Sequence, residues 1–274
     1  MLRETAYFRM AFTLLLAGCA GSAPPPAQPE PKAAAPADSA SPPVNAAQTA
    51  EPVAAKAATT SQPKPDVPPP GSPFDRVMKA HFQDALLIRQ AVIQGEPARA
   101  AEPAAVFKDL QDDLDKLPKG WRGFVERMQE AARRVTDSTS SAQAAAAAAD
   151  LGVSCGMCHQ AHGGPPASSA PLPPEATTLE SRMKRHVWAA DRLWEGLFVP
   201  SDGAWNAGAK ALSTAPFPDA VLKNGGVHAR SAASEFAKLV SQAPTKKTAD
   251  ERAALYAQML VTCGACHVAT RGGG

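Results

Sequence analysis

The apolar positions of the chain set a helical period twice. From residue 74 they run Phe74, Met78, His81, Ala85, Ile88 and Val92, and from residue 179 they run Leu179, Met183, His186, Ala190, Leu193 and Leu197. Steps of four and three place such residues along one stripe of a bundle helix. The two series coincide at a shift of 105 (74 to 179), and each carries one histidine at the same place, inside Met-Lys-x-His. Ser72 and the pair Thr177-Thr178 offer hydroxyl caps ahead of Asp75 and Glu180, so both mark a helix start.

The repeat continues beyond the first helix. Arg133-Arg134-Val135 pairs with Lys238-Leu239-Val240 at the same shift, and less regular helices are expected between, over about 98–112 and about 203–213. A three-residue insertion then makes the shift 108, and Ser140-x-x-Gln143 falls on Thr248-x-x-Glu251, a capping box that opens a last helix in each copy. The first of these is pure alanine over Ala144–Ala149, the strongest helix former. Four helices in about 90 residues with short loops predict an antiparallel up-and-down bundle. The fold class expected is therefore all-α: two tandem four-helix bundles, at 72–162 and 177–274, joined by a proline-rich linker at 163–176.

Composition changes the picture at the N-terminal end. Hydrophobic residues make up 45% of the 274, but 58 of the residues are alanine and only 5% are aromatic, which excludes a large β-rich core. Residues 21–70 hold 14 prolines and 14 alanines with no aromatic residue and no helical period, so 19–71 reads as a disordered Pro/Ala-rich tether. At ~3.1 Å per extended residue it reaches at most roughly 150 Å. Residues 1–18 have Arg3 and Arg9 ahead of an apolar run too short to span a bilayer, and Leu16-Ala17-Gly18-Cys19 resembles a bacterial lipobox. The implied mature protein is acylated at Cys19 and anchored to a lipid membrane, facing the periplasm. Ala20 carries no aspartate retention signal, which points to the outer membrane before the inner. A formal charge of +2 gives no broad reason to expect nucleic acid as a partner.

The candidate chemistry closes each repeat. The last helices end in Cys155-Gly156-Met157-Cys158-His159 and Cys263-Gly264-Ala265-Cys266-His267. One helical turn separates the two sulfurs, a spacing that suits addition to the vinyl groups of a haem, and the adjacent histidine reaches the iron from the same face. Two covalently attached haem c groups are expected, with His159 and His267 as proximal ligands. A structural zinc site, a redox dithiol or disulfides are the alternatives; a dithiol expects a βαβ setting, and zinc does not require the following histidine twice.

A helical bundle whose last helix ends in this motif resembles the cytochrome c′ family and its low-spin relatives. In that family the motif is followed, after two residues, by an aromatic and a basic residue; Val268-Ala269-Thr270-Arg271 has the arginine with threonine for the aromatic, and Gln160-Ala161-His162-Gly163 has neither. The family presents leucine or methionine from the first helix to the open haem face, whereas His81 and His186 stand at that place here. Bis-histidine ligation is the expectation; the competing reading is a core histidine bonded to a propionate or a carbonyl. His162 reads as a solvated histidine at a helix end, His228 has no counterpart, and Trp188, Trp194 and Trp205 read as core packed on a haem.

The leading expectation is an electron carrier serving redox proteins of the cell envelope, with no catalytic residues. A nitric-oxide-binding protein of cytochrome c′ type is the alternative and needs an open iron face for its gas ligand. A dihaem peroxidase is the second alternative, and no recurring acid and base accompanies the motifs.

Overall fold

The four longest helices open on caps that their sequence supplies. In the computed structural model, which describes residues 71–108, 120–174, 178–214 and 217–271, Ser72 Oγ accepts the Asp75 N–H at 3.1 Å and Ser140 Oγ the Gln143 N–H at 3.2 Å. Thr178, one residue beyond the position aligned with Ser72, accepts the Ser181 N–H at 3.2 Å. Thr248 forms a closed box: its Oγ1 accepts the Glu251 N–H at 3.2 Å, and Glu251 Oε2 accepts the Thr248 N–H at 2.9 Å. Gln143 reaches one residue further back, to the Thr139 N–H at 2.8 Å. Thr248→Ala is expected to destabilise the protein by about 1 kcal/mol, read as a lower urea midpoint at unchanged slope; an unmoved midpoint would mean that the helix end is held by its packing alone.

The helices are α1 (Pro73–Ile93), α2 (Ala101–Lys108), α3 (Arg122–Thr136), α4 (Ser141–His162), α5 (Leu179–Phe198), α6 (Asp202–Ser213), α7 (Asp219–Asn224), α8 (Gly226–Gln242) and α9 (Ala249–Arg271). No strand occurs among the described residues, so the chain is all-helical there. Short α7 has no apolar stripe to announce it. Leu179 is 48% exposed and Ala189, not Ala190, is buried, so the second stripe starts later and runs slightly rotated from its expected course. The expected signal segment, Cys19 and the expected tether up to residue 70 lie outside the described residues.

All described residues belong to one compact unit, Thr60–Gly274. Within each copy the third helix packs on the fourth, α3 on α4 and α8 on α9, but α4 also packs on α9 and on α5, and α1 packs on α9. The reason lies in α4, where Ala144, Ala145, Ala147, Ala148 and Ala149 are all buried. A helix apolar all round needs cover all round, and one set of neighbours reaches only part of it. The two copies share one apolar core.

The sharing has an approximate two-fold order. Near one end of the α1–α5 pair the rings of Phe82 and Phe198 lie 4.9 Å apart; at mid-length Arg89 pairs with Asp191 and its guanidinium carbon lies 6.0 Å from the Trp194 ring centre. The two helices thus run antiparallel. Arg89 and Trp194 occupy the same place in the repeat (89 + 105 = 194), so a residue meeting its own counterpart marks the axis. α1 ends on left-handed Gly95, φ +69°, with the Gly95 and Glu96 N–H groups closing back on Val92 O and Ala91 O. This turn sits on α9, where a Cβ at Gly264 would stand 2.9 Å from Val92 O. In the equivalent place a Cβ at Gly156 would collide with Leu197 O of α5.

The linker is tied to α5. Arg192 and Glu195, a buried ion pair, bracket Ser168: Arg192 donates to its carbonyl, and its N–H donates to Glu195. Arg185 donates to Pro173 O at 2.8 Å and half-buried Trp188 to Ala170 O at 3.1 Å. Trp205, fully buried, donates to Ala243 O at 2.8 Å. By length and composition α9 is long and apolar enough to cross a bilayer, yet its Leu255, Tyr256, Met259 and Leu260 are core residues.

Candidate functional site

Both Cys-x-x-Cys-His motifs lie within unbroken helix, in the last turns of α4 and α9. The helical spacing keeps each pair of sulfurs on one side, and all four thiols are free of disulfide bonds. Burial, with a smaller effect from the neighbouring cysteine, pushes the Cys155 and Cys263 thiols up to about 12. Burial also raises Cys158 and Cys266. Thiolates are therefore disfavoured at both motifs. A thioether carries no charge, so burial of these sulfurs is compatible with one. No group of three or more His, Cys, Asp or Glu side chains converges as a metal cluster among the described residues.

The histidines are held alike. His159 Nδ1 lies 2.6 Å from Phe198 O, and His267 Nδ1 lies 3.1 Å from Gln94 Oε1. Both partners are acceptors, so the proton sits on Nδ1 and the Nε2 lone pair is left for a metal. Burial lowers the pKa of each imidazole, opposed at His159 by the Phe198 carbonyl and reinforced at His267 by the charge of Arg271, which favours the neutral form. The acceptors come from the opposite copy: Phe198 ends α5 and Gln94 caps α1. Arg271 fastens the second arrangement, donating to Gln94 O and, at 2.6 Å, to Glu96 Oε1. Cys266 packs on Ala229 and Ala232 of α8.

His81 and His186 are both buried, at 7% and 8% exposure, each against a phenylalanine: Phe107 at 5.2 Å and Phe217 at 4.7 Å between ring centres. Phe82, next to His81, touches the Phe198 whose carbonyl holds His159. His81 and the first motif therefore lie toward the same end of the unit. His162 differs from the expected solvated residue: it is half-buried, 4.8 Å from the Trp121 ring and 5.5 Å from Phe124. Aromatic residues of α3 and the turn before it cover that helix end. His228 is exposed.

The sequence reading did not find Phe198 and Gln94, since a backbone carbonyl and a cap amide carry no residue-type signal. The glycines inside the motifs were the available hint, marking where another backbone must approach closely. A scan against protein-family models and searches of curated proteins and of solved structures each find no match to the chain.

Proposed function

We propose that the chain is a dihaem c-type cytochrome that carries single electrons at the bacterial cell envelope. The observation that supports this most directly is the matched presentation of two histidines, each with Nδ1 engaged and Nε2 left as the donor atom, one residue after a pair of free, helix-borne thiols. Cys155 and Cys158 would hold one haem by thioether bonds and Cys263 and Cys266 the other, with His159 and His267 as proximal ligands. When bound, each haem supplies a one-electron couple. The protein's part is to anchor the ring, fix the imidazole and exclude water. A thioether removes the conflict between buried sulfur and negative charge, so the burial that opposes thiolates is compatible with the product.

His81 and His186 are proposed as the second axial ligands, on their equivalent burial and equivalent place in the repeat. With His81 and His159 holding one iron and His186 and His267 the other, neither would be left open to a substrate, which favours a carrier over an enzyme or a gas-binding protein. An acylated Cys19 and the 19–71 tether would let the haem pair reach redox partners from the membrane, on its periplasmic side and at the outer membrane first.

A redox-titrated optical spectrum of the exported protein tests the reading. Two covalently bound low-spin haems are expected. Absence of covalent haem overturns the function, and a high-spin five-coordinate spectrum overturns the distal ligands in favour of gas binding. His81→Met should raise one reduction potential and leave the other in place, because a thioether ligand stabilises ferric iron less than a nitrogen donor does.

A further inference from the structure

The linker leaves the first motif through two glycines with different tasks. Gly163, φ +82°, takes the left-handed turn that ends α4. Gly164 then lies on His159: a Cβ there would stand 2.5 Å from the histidine Cβ and 2.6 Å from its Cγ, so no larger residue fits without moving the chain. The imidazole of the first motif is thus held on two edges, by Gly164 at Cγ and by the Phe198 carbonyl at Nδ1.

Beyond Gly164 the linker runs antiparallel to α5. Its Ser168 meets Arg192 and Glu195, its Ala170 meets Trp188 and its Pro173 meets Arg185, so rising numbers in the linker match falling numbers in the helix. The chemistry of these contacts suits a proline-rich chain. Residues 165, 166, 171, 173 and 174 are prolines without an N–H, so the segment offers mainly carbonyls. α5 meets it with three donors, Arg192 to Ser168 O at 2.7 Å, Trp188 to Ala170 O at 3.1 Å and Arg185 to Pro173 O at 2.8 Å, and with one acceptor, Glu195, for the Ser168 N–H. Arg185, Arg192 and Glu195 are buried, although the linker is exposed along most of its length. A proline-rich segment suits such a seat because it loses little chain entropy on docking.

These anchors do not follow from the repeat. At a shift of 105 their places in α1 are taken by Ala80, Gln83, Leu87 and Gln90, and Leu87 is 58% exposed. Two arginines, a tryptophan and a glutamate on one face of α5 therefore have the linker as their common partner.

We propose that this face of α5 is a recognition surface for a proline-rich segment, that the linker is its resident ligand, and that the linker so held is a strap that keeps His159 in place. The seat of the strap does not depend on the function proposed above; its effect on a haem does.

The test uses the full-length exported protein and two variants. Trp188→Phe with Arg185→Gln removes two of the donors on α5, and Gly164→Ala, which alters no side chain of α5, lifts the strap from His159 and keeps the test open should the double variant fold poorly. Elastase cleaves after small residues, and its cuts between Ala167 and Ala170 are mapped by mass. These cuts are expected to be slow in the wild-type protein and roughly tenfold or more faster in the variants, because cleavage follows the open population of the segment. One reduction potential should shift in both variants while the other stays in place. Equal cutting of the linker in wild type and variants overturns the recognition surface. Faster cutting with both potentials unmoved overturns the hold on His159. A preparation without covalent haem would refute the function proposed above, and modification of His159 by diethyl pyrocarbonate would then replace the potentials: it should be faster in the variants, and equal rates would overturn the hold.

Discussion

On the function proposed above, the double variant Cys155→Ser, Cys158→Ser is expected to carry one covalent haem instead of two and to melt as a weakened whole. The sharing of one core by the two copies is the ground for the second part. α4 packs on α9 of the other copy, and α5, which supplies the carbonyl for His159, packs on α4. Withdrawing the proposed porphyrin from α4 should therefore loosen contacts belonging to both copies. For a unit of this size each kcal/mol shifts the midpoint by about 2–4 °C, and loss of a large buried apolar group is a matter of several kcal/mol, so a fall of roughly 10 °C or more is expected. Intact-protein mass gives the haem count, and circular dichroism gives the melt. One cooperative transition at lower temperature is the expected result. Two transitions, one at the wild-type temperature, would mean that the copies fold as separate domains.

Much of the fold could be read from periodicity and caps. His81, Ala85, Ile88 and Val92 lie buried along α1 as their spacing requires, and Ser72, Ser140 and Thr248 cap their helices. A stripe shows which side of a helix is buried, but not whose helix covers it. The mutual embrace of the copies depends on contacts such as Arg89 with Asp191, 102 residues apart, and His267 with Gln94, 173 residues apart. The one local sign was the alanine run of α4, apolar on every side and so in need of two layers of neighbours. Arg89 shows the same limit from the other direction. Nothing in its sequence neighbourhood marks it as buried, and only the arrival of α5 and α9 buries it. The two Cys-x-x-Cys-His motifs are plain because their residues are contiguous in sequence; the groups that orient their histidines are not.

Gly156→Ala gives the second large effect. Gly156 lies between the two cysteines of the first motif, and a methyl group there would collide with the Leu197 carbonyl and reach 3.1 Å from the Pro200 ring. Neither neighbour is a flexible side-chain tip, so the end of α5 has to move away. That displacement acts on Phe198, the next residue, and hence on the bond to His159. Overpacking of this kind costs typically about 1–3 kcal/mol, more where backbone must shift, set against a gain of roughly 1 kcal/mol from helix propensity. The expected net loss is about 2 kcal/mol or more, accompanied, on the function proposed above, by a shift in only one of the two reduction potentials. Gly123→Ala is the control. Gly123 lies in α3 with nothing within 4 Å of its would-be Cβ, so alanine there should stabilise the protein by up to about 1 kcal/mol. Opposite signs for the two substitutions follow only if α5 is seated on the first Cys-x-x-Cys-His motif. If both stabilise, α5 does not cover Gly156, and the carbonyl that orients His159 must come from elsewhere.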